Sequence, residues 1–344
     1  MVGNNEQSNF SWMGSGLMVV LLTGGAGYIG SHTARQLVLQ GFQVVIYDNL
    51  SCGHREAVNG MPLVVGDIAE TEKLSETIMK YKVDAVIHFA ANSLVGESVE
   101  NPQKYFINNV MKGIGFLNQL LKDKVKYLVF SSSAAVYGDP LTTPINEEHI
   151  LQPTNTYGDT KNILEKVMQR YHQAYGLRYI SLRYFNAAGA DTKGDIGEDH
   201  NPETHLIPII LQSALGKKVK VKVFGDDYNT PDGTAIRDYV HVNDLAEAHI
   251  LALRGLSSGQ PRGVYNLGSE HGFSVLEVIK TASTVIKENI NHEIGSRRIG
   301  DPAVLVASSE KIKRELGWQP QFSSLSYIIN SAWKWYQGNS KGYF

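Results

Sequence analysis

One short stretch decides most of what this chain can become. Gly24-Gly25-Ala26-Gly27-Tyr28-Ile29-Gly30 follows directly on the apolar run Met18-Val19-Val20-Leu21-Leu22-Thr23. A short, continuous, β-branched run of this kind is the composition of a strand buried on both faces of a parallel sheet. Ser31 to Gln40 then reads as a helix. Strand, glycine turn and helix together are the setting in which a glycine pattern becomes a dinucleotide cradle. There Gly24 permits the tight turn, Gly27 lets the backbone approach a pyrophosphate, and Gly30 lets the helix lie close to the strand. Tyr28 and Ile29 belong to the same loop and are counted with it. A helix N-terminus adds free N–H groups and partial positive charge for the phosphates.

The spacing is G-x-x-G-x-x-G rather than G-x-G-x-x-G. No Gly-Lys-Ser/Thr follows, so the loop is not a nucleoside-triphosphate P-loop. The second strand, Gln43 to Tyr47, ends at Asp48, 18 residues after Gly30. A carboxylate there accepts hydrogen bonds from an adenosine ribose and repels a 2′-phosphate, which favours NAD over NADP.

Strand and helix patterns alternate onward. Pro62–Gly66, Asp84–Phe89, Lys126–Ser131 and Tyr179–Arg183 read as strands. Glu70–Tyr81, Pro102–Lys122 and Thr160–Tyr175 read as helices. The alternation predicts an α/β fold, a Rossmann-type doubly wound parallel sheet, with ligands beyond the carboxyl ends of its strands. After about residue 186 the loops lengthen, and helices are predicted at Leu206–Leu215, Asn243–Arg254, Val275–Glu288 and Leu325–Tyr336. The expected division is therefore a dinucleotide-binding domain over 18–186 and a smaller C-terminal α/β substrate lobe over 187–344. A segment near 237–255 is expected to return to the first domain.

Bulk properties narrow the function. With 344 residues, 42% of them hydrophobic, the chain can bury a sizeable core in two lobes. Its 32 basic and 34 acidic side chains are interspersed, with no basic block or RNA-binding aromatic motif, so nucleic acid is not expected as a partner. No apolar run approaches the length of a membrane span, roughly 18 residues. Cys52 is the single cysteine, which excludes an internal disulfide and a cysteine-based metal site and fits a reducing cytoplasm. Residues 1–17 lack the apolar stretch of a signal peptide and read as a flexible tail, with Met18 a natural start.

The chemistry lies in Tyr157-Gly158-Asp159-Thr160-Lys161. Four positions apart on a helix, Tyr157 and Lys161 share a face. Free tyrosine titrates near about 10 and is a poor base at neutral pH. A neighbouring ammonium and a positive nicotinamide both favour phenolate, so a lowered pKa is predicted for Tyr157. Lys161 can also hydrogen-bond the nicotinamide ribose. Ser133, at the end of a strand, can share a proton with Tyr157 and a reacting hydroxyl. A Y-x-x-x-K pattern is common by chance. Its weight comes from position, after the glycine loop, a Ser-Ser-Ser strand end and Pro153. Together these residues are the equipment for moving a hydride to or from a sugar or alcohol carbon. Among the histidines, His88 reads as packing, and His241 and His249 flank a helix start without ligand spacing. No two-His-plus-carboxylate cluster stands out, so no metal is predicted.

The motifs are similar to those of the extended short-chain dehydrogenase/reductase family, and within it the UDP-sugar 4-epimerase branch. The resemblance runs from Val19 to Tyr343. It is carried by Thr23–His32, Val95-Gly96-Glu97-Ser98, Phe130–Gly138, Arg183-Tyr184-Phe185-Asn186, Asp232–Val242 and Arg297–Ala303. It implies that Tyr157 removes the sugar 4-hydroxyl proton while hydride passes from C4 to NAD. The 4-keto sugar then turns over, and hydride returns to its other face. UDP-galactose and UDP-glucose would interconvert, with NAD retained and a homodimer as the assembly. The same resemblance assigns Asp48, Asn49, Asp67, Ile68, Phe89, Ala90, Ala91, Asn108, Lys161 and Phe185 to NAD. It assigns Asn186, His205, Leu206, Phe224, Arg237, Arg298 and Asp301, beside Ser133 and Tyr157, to the UDP-sugar. The two arginines suit a diphosphate by forked, charge-assisted hydrogen bonds. Arg237 has a competing role as an ion-pair partner of Asp238 or another acid.

Related sugar-nucleotide 4,6-dehydratases carry Thr-Asp-Glu where this chain has Ser133 and its neighbours, so elimination chemistry is not supported. Ser93, His205 and Asp159 depart from residues frequent in the branch. Leu305 resembles a gate beside the sugar 2-position. It is smaller than a tyrosine, so UDP-GlcNAc and UDP-GalNAc are candidate substrates too. Two other functions fit the same residues: a net NAD-dependent oxidoreductase of nucleotide sugars, and a non-catalytic dinucleotide-binding regulator.

Overall fold

The computed structural model describes residues 18–343 apart from 59, 218, 260–262 and 299. The predicted tail over 1–17 lies outside the described residues. Through the first half, helices alternate with β1 (Val19–Thr23), β2 (Gln43–Asp48), β3 (Leu63–Val65), β4 (Ala85–His88), β5 (Tyr127–Ser133) and β6 (Arg178–Tyr184). Then come β7 (Asn186–Ala188), β8 (Val221–Phe224), β9 (Ile236–His241) and β10 (Gly263–Leu267). The last strands are β11 (Gly272–Ser274), β12 (His292–Gly295) and β13 (Val304–Leu305).

Seven strands form one sheet in the order β10-β6-β5-β4-β1-β2-β3, and every pairing in it is parallel. The chain builds outward from β1 through β2 and β3, then returns to the other side of β1 for β4. Loops leaving β1 and β4 diverge, and a crevice opens at their carboxyl ends. Successive residues of β1 face opposite ways. Val20 and Leu22 pack with Ile46, Leu245, Ala248 and Leu253 on one face. Leu21 packs with Val86, Phe116, Leu120, Leu164 and Met168 on the other. With helices on both faces the strands are apolar throughout, which is why they read as runs rather than alternations.

Strands β11, β9 and β13 form a smaller sheet, with β7 added on β9, and β8 pairs with β12. Their helices bury Ile210, Leu211, Val223, Ile328 and Trp335 in a separate core. The α/β, doubly wound class read from the sequence is the observed one, and it carries the smaller sheet beside it. Strand β9 belongs to that smaller sheet, whereas helix Val242–Ser258 buries Leu245, Ala248 and Leu256 in the core of the large one.

Three elements differ from expectation. The strand predicted to end at Ser131 runs on to Ser133, because β6 continues alongside and pairs Ser133 with Tyr184. The helix predicted from Thr160 begins at Thr156, where the Asn155 side chain caps it by accepting from Gly158 N–H at 2.9 Å. The helix predicted over Pro102–Lys122 is interrupted by a π-helical turn at Phe106–Met111, and a separate helix, Val95–Glu100, precedes it. Such turns lodge one extra residue and often sit at functional sites. Among the described residues, no helix is long and apolar enough to cross a membrane.

A buried polar chain ties these elements together behind the strand ends. Glu165 accepts from Ser132 Oγ at 2.5 Å and from Arg183 Nε at 3.0 Å. Arg183 also donates to the Tyr137 hydroxyl at 2.9 Å, and Tyr137 donates to Asn266 at 2.7 Å. Side chains of Arg183 and Glu165 are only 4% and 6% exposed, so removing one partner strands the other charge. Glu165→Ala is expected to cost about 3–5 kcal/mol, read by denaturant unfolding. A change within error would show that the pair carries no weight.

Candidate active site

The glycine loop closes between β1 and helix Tyr28–Leu39, and three of its glycines are required sterically. Gly24 has φ +70, and a Cβ there would stand 2.6 Å from the Ala90 nitrogen. A Cβ on Gly30 would stand 2.4 Å from the Gly24 carbonyl oxygen. Gly25 admits none either, with Leu22 and Ile46 atoms at 2.9 Å, a constraint the sequence reading did not assign. Gly27 is different. Its Cβ would meet only the Gly24 oxygen, at 3.4 Å, so its outer side is open to an approaching ligand. Gly27 caps the helix without a side chain, and the first turn holds no acid. The orphan N–H groups of that turn are thus left for an anion.

Around this loop lies a cleft whose wall holds all of the expected cofactor residues: Gly24, Gly27, Tyr28, Ile29, Gly30, Asp48, Asn49, Asp67, Ile68, Phe89, Ala90, Ala91, Asn108, Lys161 and Phe185. Asp48 ends β2 and accepts from the backbone N–H groups of Ala26 at 2.9 Å and Leu50 at 2.8 Å. Burial pushes its carboxyl up, and those two donors oppose the shift. Asp67 accepts from Lys112 Nζ at 2.9 Å and from Asn49 at 3.1 Å. Burial works to raise Asp67, but Lys112 and the N–H donors outweigh it and hold the group below its ordinary value. A cradle open at Gly27, uncapped N–H groups and a carboxylate at the second strand end are what a dinucleotide with two unphosphorylated riboses requires. The residues therefore fit NAD.

Deeper in the cleft, Ser133, Tyr157 and Lys161 converge on the end of β5. The helix bearing Tyr157 approaches the strand closely because residue 158 is glycine; a Cβ there would lie 2.3 Å from the Ala135 carbonyl oxygen. Tyr157 is held through its backbone N–H, which donates to Ser98 Oγ at 3.1 Å, and Ser133 is near enough to its phenol to draw the pKa down against burial. Lys161 Nζ donates to the Ser131 carbonyl at 2.7 Å and lies 5.7 Å from the Tyr157 ring centre.

The predicted lowering of the Tyr157 pKa is not what the protein groups alone produce. Burial pushes the phenol up to about 12, with the Ser133 hydrogen bond working against it. Burial also pushes Lys161 down to about 7, with Glu165 opposing. A lysine whose own charge is suppressed, and whose ammonium is turned to a carbonyl, gives the phenol little field. The protein favours neutral forms of both groups.

Of the expected substrate residues, Ser133, Tyr157, Asn186 and His205 line the cleft. Leu206, Phe224, Arg237, Arg298, Asp301 and Leu305 are not on that wall. Leu206 opens helix Leu206–Ala214, and Leu305 is paired beside Arg237 on adjoining strands. Arg298 lies 4.0 Å over the Phe224 ring. Arg237 is ion-paired with Asp301, so the competing role is realised, although not with Asp238, which instead accepts from Ser269 and Ala307. The cleft wall also holds Ser51, Asn92, Tyr184, Glu198 and His200, none of them assigned from the sequence. No two-His-plus-carboxylate cluster was legible there, yet the fold gathers Glu198, His200, Glu203 and His205 into one group. Their spacing follows no helical or strand period, which is why sequence reading passed over them.

Fold and site define a nicotinamide-dinucleotide enzyme with a tyrosine–lysine–serine centre. Residues 20–268 match the model of the NAD dependent epimerase/dehydratase family, and the chain belongs to that family. It is 51% identical over 326 residues to the UDP-glucose 4-epimerase of Halalkalibacterium halodurans, covering 95% of this chain and 98% of that one. A crystal structure of UDP-glucose 4-epimerase from Brucella ovis in complex with NAD is similar at a TM-score of 0.89 and 46% identity, covering 92% and 97% of the two chains. The UDP-glucose 4-epimerase of Bifidobacterium longum in complex with NAD+ and UDP superposes at 0.89 with 37% identity, over 94% of this chain and 100% of that one.

The depressed Lys161 carries a stability signature. Its native value of about 7 lies below the ordinary 10.5, so between those values the unfolded chain holds more protons and stability rises with pH. Replacing Lys161 with Met in nucleotide-free protein is expected to raise Tm most below pH 7, with the gain shrinking as pH approaches 10.5. A gain independent of pH would show that Lys161 is charged in the empty cleft.

Proposed function

We propose that the chain interconverts UDP-galactose and UDP-glucose by NAD-dependent inversion at C4 through a 4-keto sugar. The observation that carries the reading is the placement of Tyr157, with Ser133 and Lys161, on the wall of the same cleft as the glycine loop. Bound NAD supplies the hydride acceptor and donor and, when oxidised, the positive charge that favours phenolate. Tyr157 takes the proton of the 4-hydroxyl and later returns it. Ser133 bridges phenol and sugar oxygen and keeps both in line. Lys161 is held by the Ser131 carbonyl, and its remaining N–H groups would bind the nicotinamide ribose. Arg237 and Arg298 are proposed for the diphosphate. Arg237 then exchanges or shares its Asp301 partner, a substitution of one anion by another that conserves charge pairing. Residues 18–186 are proposed as the NAD-binding lobe and 187–344 as mainly the substrate lobe, with the segment near 237–255 returning to the first.

Tyr157→Phe is expected to lower turnover of UDP-galactose by at least about 100-fold while NAD stays bound. Activity within a few fold of the wild type would remove Tyr157 as the base. In the same assay the wild type yields UDP-glucose without lasting NADH absorbance; steady accumulation of NADH would favour the oxidoreductase reading.

Leu305 supports a wider substrate range. It packs against the cluster that holds Ala134, Phe185 and Ala307, where a tyrosine would add bulk. UDP-GlcNAc is therefore expected to be epimerised to UDP-GalNAc, monitored by product chromatography. No product at millimolar substrate rules this out.

A homodimer and a cytoplasmic location are proposed with it. Phe106, Ile107 and Met111 are exposed on the π-turn segment, and a groove lined by Ile114, Ile163, Lys166, Val167, Arg170 and Tyr171 joins the helix that follows it to helix Thr156–Tyr175. Two such faces would bury each other isologously. Sedimentation equilibrium should give twice the chain mass, and Met111→Glu with Ile107→Glu should give the monomer. A monomeric wild type contradicts the proposal.

A further inference from the structure

Four side chains from one segment gather beside the cleft: Glu198, His200, Glu203 and His205, with their ligand atoms all within 4.8 Å of one another. His205 Nδ1 lies 2.6 Å from Glu198 Oε1 and 3.4 Å from Glu203 Oε1. His200 Nδ1 lies 3.3 Å from Glu198 Oε1 and 3.8 Å from Glu203 Oε2. A tetrahedral ion with bonds of roughly 2.0–2.1 Å keeps its ligand atoms about 3.3–3.4 Å apart. Three of the four separations lie within about 0.5 Å of that value, and the fourth, His205 to Glu198, is a direct ion-pair contact that a bound ion would open.

A second observation points the same way. The Glu203 side chain is only 5% exposed, and its Oε2 accepts no hydrogen bond, its ion-pair contact being His200 Nδ1 at 3.8 Å. Buried polar atoms are nearly always satisfied, so an open carboxylate oxygen beside two imidazoles leaves room for a ligand there. The frame around it is fixed. Glu203 Oε1 accepts from the N–H groups of Thr204 at 2.8 Å and His205 at 2.9 Å. The Tyr336 hydroxyl donates to the Glu198 carbonyl at 3.1 Å.

We propose that these four residues bind one divalent first-row transition cation at the rim of the cleft. Two imidazole nitrogens with two carboxylates suit Zn2+ or Co2+ better than Mg2+ or Ca2+, which prefer all-oxygen shells. Glu198, His200 and His205 are cleft residues, and the His205 side chain is 51% exposed, so one side of the ion faces the ligand space. The site has no part in the hydride chemistry. It fixes the turn leading into helix Leu206–Ala214, and by linkage its occupancy and that of the cleft influence each other.

The test uses the full NAD-loaded chain, titrated calorimetrically with Zn2+ and by visible absorption with Co2+. One ion per chain should bind saturably, and Co2+ should give ligand-field bands of tetrahedral intensity. His200→Ala and, separately, Glu203→Gln should each weaken binding at least about tenfold and remove the bands. His292→Ala, on the exposed strand β12, should change neither. If His200→Ala fails to fold, the near-isosteric Glu203→Gln decides. Absence of saturable uptake, octahedral-type spectra only, or affinity unchanged in both ligand variants would overturn the proposal and leave the cluster an ion-pair network.

Discussion

The close contact between the start of helix Thr156–Tyr175 and the end of β5 is the constraint from which the site follows. Lys161 reaches the Ser131 carbonyl at 2.7 Å only because Gly158 lets the helix settle on the Ala135 backbone. Three successive serines then divide the work of holding the strand end. Ser131 Oγ shares a hydrogen bond with the Tyr184 hydroxyl, Ser132 donates to Glu165, and Ser133 accepts from Ala135 N–H on the cleft side, near Tyr157. Successive strand residues face opposite sides, so Ser132 feeds the polar chain behind the sheet while its neighbours face the cleft. Helix, strand and Arg183 on β6 are thereby locked as one unit, and the reacting groups inherit its rigidity.

Burial sets the electrostatic character of that unit. Tyr157 is pushed up to about 12 and Lys161 down to about 7, both toward neutrality. A site built this way spends no protein charge on stabilising phenolate. In the proposed reaction the phenol becomes a competent base only when a cation shares its low-dielectric surroundings, which ties proton transfer to the presence of the oxidant. The Arg237–Asp301 pair likewise keeps a part-buried guanidinium matched by a carboxylate.

Much of this was legible in the residues. The apolar run of β1 with its glycines, Asp48 at the next strand end, and the Tyr157–Lys161 spacing all encode local geometry, and local geometry has a period that sequence displays. The reading faltered where tertiary context decides. Ser133 is in the strand because β6 runs beside it, not because serine favours strands. The π-turn at Phe106–Met111 sits inside a segment that reads as ordinary helix. The sign of the Tyr157 shift depends on how deeply its helix is buried, and no motif states that. The cluster of Glu198, His200, Glu203 and His205 arises from an irregular turn and has no sequence period at all.

The central claim is that hydrogen leaves and returns at the same carbon as hydride, with protein groups handling only the proton on oxygen. The most direct measurement follows the isotope in UDP-galactose carrying deuterium at C4, incubated with enzyme in ordinary water. The account predicts UDP-glucose that keeps its deuterium at C4, without exchange into solvent. Loss of the label to water would mean that a protein base removes the C4 hydrogen as a proton, and the assignment of Tyr157 and the dinucleotide cleft to this chemistry would be contradicted.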